Sequence, residues 1–148
     1  YIYYANNGDT IRENITVGQG AFTDLIGPEL MFAHELDAYC DDPILIIKTA
    51  WGGLSLAEDF RPPSAAGNTG AYYDNMIETV YEVTQNLGVD FPELGVTVFE
   101  ISGFAWFQGW NDGASPEFFV ESEDNLYHLF DDVLSVQGIL YMPVAVAN

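Results

Sequence analysis

"ILIIKTA", Ile44 to Ala50, is a short run of apolar and β-branched residues with little alternation. Such a run predicts a strand covered on both faces, as in a parallel sheet. "VTVFEISGFAWFQ", Val96 to Gln108, reads the same way. Between them lies the clearest helix, "AYYDNMIETVYEVTQNLG". There Tyr73, Met76, Ile77, Val80, Val83 and Leu87 share a face, and Gly88 supplies a stop. Further out, "PELMFAHELDAYC" places Leu30, Met31, Ala33, Leu36 and Tyr39 at helical spacing, with Pro28 in the first turn. "SPEFFVESEDNLYHLFDDVL" predicts a helix with Ser115 as N-cap and Pro116 just inside. Its expected inner stripe is Phe119, Leu126, Leu129, Phe130 and Val133. "YIYYANN" at the start and "ILYMPVAVA" near the end read as strands. Strands alternating with helices predict an α/β protein, a parallel sheet flanked by helices. Ligands in such folds bind beyond the carboxyl ends of the strands. Two loops are expected there, Trp51 to Gly70 and Gln108 to Ser115.

Composition narrows the function. The 148 residues suit one domain, and about half are hydrophobic, enough for a core. Three basic residues, Arg12, Lys48 and Arg61, stand against 23 acidic ones, for a formal charge of −20. Nucleic acid is excluded as a partner, because neutralising phosphate needs lysine and arginine. An anionic membrane surface is disfavoured for the same reason, and no apolar run is long enough for membrane insertion. The charge suits an extracellular or periplasmic, salt-screened setting. No D-x-[DN]-x-[DN]-G loop is present, and neither metal nor cofactor is expected. Cys40 is the single cysteine, so no internal disulfide forms, and it is expected to be a small core residue.

The two loops carry the chemistry. Gly52 and Gly53 end the first strand, where glycine lets a backbone N–H approach a ligand or simply allows a tight turn. In "QGWND" the Gly109 N–H and the Asn111 amide are donors suited to an oxygen that becomes negative in a transition state. Both residue types also occur in plain turns.

Taken together and in this order, "GPELMFAHEL", "ILIIKTAWGGLSLAEDFRPPS", "GAYYDNMI" and "EISGFAWFQGWND" resemble the SGNH hydrolase superfamily. More closely, they resemble the carbohydrate acetylesterases related to sialate O-acetylesterase, over about Val17 to Asn148. The resemblance implies a flavodoxin-like parallel sheet carrying a serine esterase site for an acetylated carbohydrate. It implies that Gly53 (or Gly52) is the glycine oxyanion donor after the second strand. Gly109, Trp110, Asn111 and Asp112 match the family's G-x-N-D, with Asn111 as amide donor. Trp51, Gln108, Trp110, Asp112 and Arg61 are expected around the substrate: Gln108 at the acyl pocket, Arg61 on the long loop or a sugar, the tryptophans on sugar faces.

The chain departs from the pattern in two places. The family's nucleophile sits in a G-Q-S-N-M-type turn, yet "VGQGAFTD" puts Gly20 where the serine would be. No D-x-x-H lies near the end, and His34 and His128 both fall in expected helices. Ser55 and Ser64 are poor substitutes, because both sit in a loop rather than in a strained strand-to-helix elbow. By the family's topology the missing first strand belongs at the sheet's centre, between the second and third, so the sheet is expected to be incomplete. Three readings follow. The chain is an internal piece of a longer polypeptide, which is preferred; or another copy or chain inserts the strand; or the fold is a non-catalytic structural or carbohydrate-binding protein of an extracellular assembly. One consequence needs only the charge. Going from about 0.01 M to about 0.15 M salt shortens the screening length from ~30 Å to ~8 Å, so the denaturation midpoint should rise. A midpoint that falls would mean that ion pairs outweigh the self-repulsion.

Overall fold

A computed structural model describes residues 1–6, 9–96, 98–138 and 142–147. Among the described residues the protein is mixed α/β, with small sheets and four α-helices. It divides into two compact units, Tyr1–Gly52 with Thr79–Val98, and Gly53–Glu78 with Phe99–Asn148.

In the first unit β1 (Ile2–Asn6) pairs antiparallel with β2 (Asp9–Glu13), in a register from Ile2 opposite Glu13 to Asn6 opposite Asp9. On its other side β1 runs parallel to β3 (Ile46–Thr49), with Ile2 opposite Ile46 and Ala5 opposite Thr49. The sheet order is therefore β2-β1-β3. As the middle strand, β1 buries residues on both faces, Tyr3 on one and Ile2 and Tyr4 on the other. Tyr3 packs with Val83 and Phe91, joined by Leu45, Ile47, Leu87 and Leu94. Helix α1 (Pro28–Asp37) is pinned near its start, where Lys48 Nζ sits 2.7 Å from Glu29 Oε1. Lys48 also donates to the Gln19 carbonyl and lies 4.2 Å from the centre of the Tyr4 ring.

Some expectations shift here. "DTIRE" forms a strand that its composition hardly announces. Of the predicted α1 face only Ala33 is buried; Met31 and Tyr39 are exposed, and so is Cys40, which is no core residue. Helix α2 (Ala71–Asp90) runs two residues past Gly88, the expected stop, because Phe91 N still bonds Leu87 O. Its buried residues Tyr73, Met76 and Val83 lie on the predicted face.

In the second unit β4 (Phe104–Phe107) runs parallel to β5 (Val144–Ala147), Phe104 opposite Val144. The long apolar run from Val96 is thus a strand only in its last part; Thr97 lies outside the described residues, as do Ile139–Tyr141 of the final predicted strand. The parallel pairing expected of one sheet appears as two short ladders, β1 with β3 and β4 with β5. Helix α3 (Trp110–Ala114) occupies part of what was expected to be loop. Helix α4 (Pro116–Gln137) begins as predicted, with Ser115 Oγ accepting from Phe118 N, and ends at Gly138 in the left-handed region. Its buried stripe is Asn125, Leu129 and Val133. Phe119, assigned to the inner face, is 65% exposed.

The segment from Gly53 to Gly70 has no helix or strand but folds back tightly on itself. Gly70 N donates to Arg61 O and Tyr72 N to Asp59 O, both at 2.9 Å. A Cβ at Gly70 would lie 2.2 Å from the Asp59 carbonyl oxygen, a backbone atom with no easy way to yield. Gly70→Ala should therefore destabilise the fold by roughly 1–3 kcal/mol, read as a lower urea midpoint at unchanged slope. An unchanged midpoint would show that this close approach is not needed.

Candidate active site

Strand β4 delivers the motif. Trp106 is buried and meets the Phe60 ring edge-to-face at 5.3 Å, while Phe104 contacts Phe130 at 6.3 Å. One tryptophan of "WFQGWNDG" is therefore core packing. The chain then turns through Gln108 and Gly109 into α3. Successive helical residues point about 100° apart, and Asn111 and Asp112 separate accordingly.

Asp112 points inward and is 2% exposed. Its Oδ2 accepts from Leu56 N at 2.9 Å and its Oδ1 from Ala57 N at 2.8 Å. Gln108 Nε2 donates to the same carboxylate and to the Leu54 carbonyl. Charge-assisted bonds to main-chain N–H groups are the strong kind, and they compensate a buried charge. Asp112, expected among the substrate contacts, thus binds a neighbouring segment of backbone, and so does the Gln108 amide nitrogen. Asn111 is half-buried, and its side-chain amide has no hydrogen-bond partner among the described residues. Trp110 is 87% exposed.

Gly53 belongs to the same unit. Its φ of +80° favours glycine, and a Cβ there would meet nothing within 4 Å. Gly109 is the N-cap residue of α3, and its carbonyl accepts from Gly113 N at 2.9 Å. Trp51 is partly exposed and belongs to the first unit.

The rest of the loop is held by side chains. Ser55 is buried; its N–H and its Oγ both bond Asp59 Oδ2, at 2.8 and 3.0 Å, and Oγ accepts from Glu58 N. The Glu58 N–H on Ser55 Oγ is half of a capping box, but the acid that accepts the Ser55 amide is Asp59, one residue beyond the S-x-x-E spelling. Arg61 uses every guanidinium nitrogen on protein, namely the Ala57 and Ala66 carbonyls and Glu121. Helix α4 presents Asp132 to Ser64 N at 2.9 Å and His128 Nδ1 to Ser64 Oγ at 2.8 Å. This Ser–His contact ties the loop to the helix. No motif foreshadows it, since the partners are 64 residues apart.

Residues 5–148 match the family described as carbohydrate esterase, sialic acid-specific acetylesterase. The chain belongs to that family. A comparison with curated proteins gave no match. Among solved structures, a protein from Arabidopsis thaliana is similar in fold, with a TM-score of 0.67 at 16% sequence identity. The alignment covers 98% of this chain and 55% of that one, so this family member spans little more than half the length of its structural neighbour.

One buried group bears on pH. The Tyr73 hydroxyl has no hydrogen-bond partner among the described residues. Burial first, then the charges of Asp132 and Asp74, push its pKa from about 10 up to about 12. A phenol whose folded pKa is raised contributes stability that is complete below the unfolded value and is lost as pH climbs through the folded one. Between about pH 10 and 12 the parent should lose stability more steeply than Tyr73→Phe. At pH 7 the variant should be at least as stable, because no hydrogen bond is lost. Identical alkaline curves for parent and variant in urea titrations would remove Tyr73 from the account.

Proposed function

We propose that this chain is the portion of a carbohydrate O-acetylesterase, a serine ester hydrolase, that supplies the oxyanion-hole loops. On this reading the serine and its Asp–His partners come from outside these 148 residues, and the two short ladders belong to a flavodoxin-like sheet. The observation that carries it is the Asn111 amide: half-buried, unpartnered among the described residues, and placed on α3 just beyond β4, between exposed Trp110 and buried Asp112. When a serine adds to an acetyl ester, the carbonyl oxygen becomes negative. The Asn111 amide and the Gly53 N–H donate to it, with Gly109 N–H as a third donor. Each such donor is typically worth ~3 kcal/mol in the transition state. The open flank of Gly53 suits close approach of that oxygen.

The acetylated carbohydrate is the substrate class that the family implies. Exposed Trp110 offers its face to a sugar ring. Gln108, Asp112 and Arg61 support the loops that frame the substrate. The charge of −20 favours an extracellular or periplasmic setting.

A second reading, a catalytically inactive carbohydrate-binding or self-assembling protein, draws on the serines. Ser55 is buried on Asp59, and Ser64 is committed to α4 through His128. Hydrolysis of acetylated carbohydrate by the full-length protein separates the two. The esterase reading expects turnover, and expects Asn111→Ala to lower kcat about 10²–10³-fold with KM little changed. Saturable binding without acetate release would establish the second reading; turnover unaffected by Asn111→Ala would sink the oxyanion role.

A further inference from the structure

The two proposed donors come from different parts of the chain. Asn111 sits on α3, which directly follows a laddered strand. Gly53 opens a segment that has neither helix nor strand until α2. An irregular segment keeps its geometry only where specific bonds hold it. The nearest bonds after Gly53 that reach outside the segment are those of Gln108 to Leu54 O and of Asp112 to Leu56 N and Ala57 N. Both clamping side chains flank Asn111 in sequence.

We propose that Asp112 is a positioning residue: its carboxylate fixes the Leu56 and Ala57 amides and thereby sets the Gly53 N–H relative to the Asn111 amide. This inference rests on the oxyanion reading above. A carboxylate suits the task because each of its two oxygens accepts one backbone amide. An asparagine of the same size has one accepting oxygen, and its NH2 would face the other N–H, donor against donor. Asp112→Asn therefore keeps at most one of the two amide bonds and sets donor against donor at the other, with little change in volume.

The test is a double-mutant cycle on the full-length esterase, with amide exchange as a parallel readout. In Asp112→Asn, exchange at Leu56 and Ala57 should rise while the β4–β5 ladder stays protected. kcat should fall about tenfold or more with KM little changed. In the Asn111→Ala background the same substitution should cost much less, because groups that act as a unit are non-additive. Gln108→Met, which loses the bonds to Leu54 O and to the Asp112 carboxylate but leaves both amides on Asp112, is the milder variant if Asp112→Asn does not fold, and should show the same pattern with a smaller fall. If Asp112→Asn lowers kcat by the same factor with or without Asn111, or does not lower it, the positioning role is overturned while the oxyanion reading stands. If Asn111→Ala itself leaves kcat unchanged, or the parent shows no turnover, the oxyanion reading falls and takes this inference with it.

Discussion

Gly53 to Gly70 contains no helix or strand, yet Leu56, Ala57, Phe60 and Ala65 within it are buried. Buried backbone groups need partners, and a segment without regular structure cannot supply them all from its own main chain. Much of the second unit answers that constraint. Asp112 takes two amides, Asp59 takes the Ser55 amide, and Asp132 takes the Ser64 amide. Arg61 covers the carbonyls of Ala57 and Ala66. Three acids on amides and one arginine on carbonyls make a set of polar clamps that apolar packing could not replace, since Leu or Met in those places would leave main-chain donors bare.

The same clamps explain how a chain this acidic keeps its few cations. Each of the three basic side chains is committed to a carboxylate: Arg12 to Asp90 at 3.0 Å, Lys48 to Glu29 at 2.7 Å, Arg61 to Glu121 at 2.6 Å. Lys48 and Arg61 are mostly buried, so their value lies in fixing α1 and the long loop rather than in adding charge to the surface. With two of the three cations mostly buried and Arg12 paired to Asp90, the charge left on the surface is predominantly acidic.

Much of this was legible in advance, for identifiable reasons. α2 and α4 announce themselves by periodicity and by caps at Ser115 and Pro116, and "QGWND" by its match to a motif. What failed was local. "DTIRE" has too little apolar character to read as a strand, and α3, with Asn, Asp and Gly in five residues, has the composition of a turn. The expected α4 stripe holds at Leu129 and Val133 and differs only at its N-terminal end, where Phe119 is exposed, and at Asn125, a polar residue that is buried beside it. The clamps themselves were out of reach. A carboxylate that binds main-chain amides 55 and 56 residues away leaves no mark on the identity of those residues.

The split between Asn111 and Asp112 gives the motif a physical logic. Adjacent on a short helix, the two side chains must point about 100° apart. If one is turned into the protein, the other cannot follow it. Asp112 is turned in, where its charge would be costly without the Leu56 and Ala57 amides. That leaves Asn111 turned from the clamp, its amide without a hydrogen-bond partner among the described residues. Gly109 and Trp110 complete the geometry: a small residue where the strand turns into the helix, then an aromatic pushed out to solvent. The irregular loop and the helix are thus made for each other at one carboxylate. The residue that holds them together is one position from the residue proposed to meet the substrate.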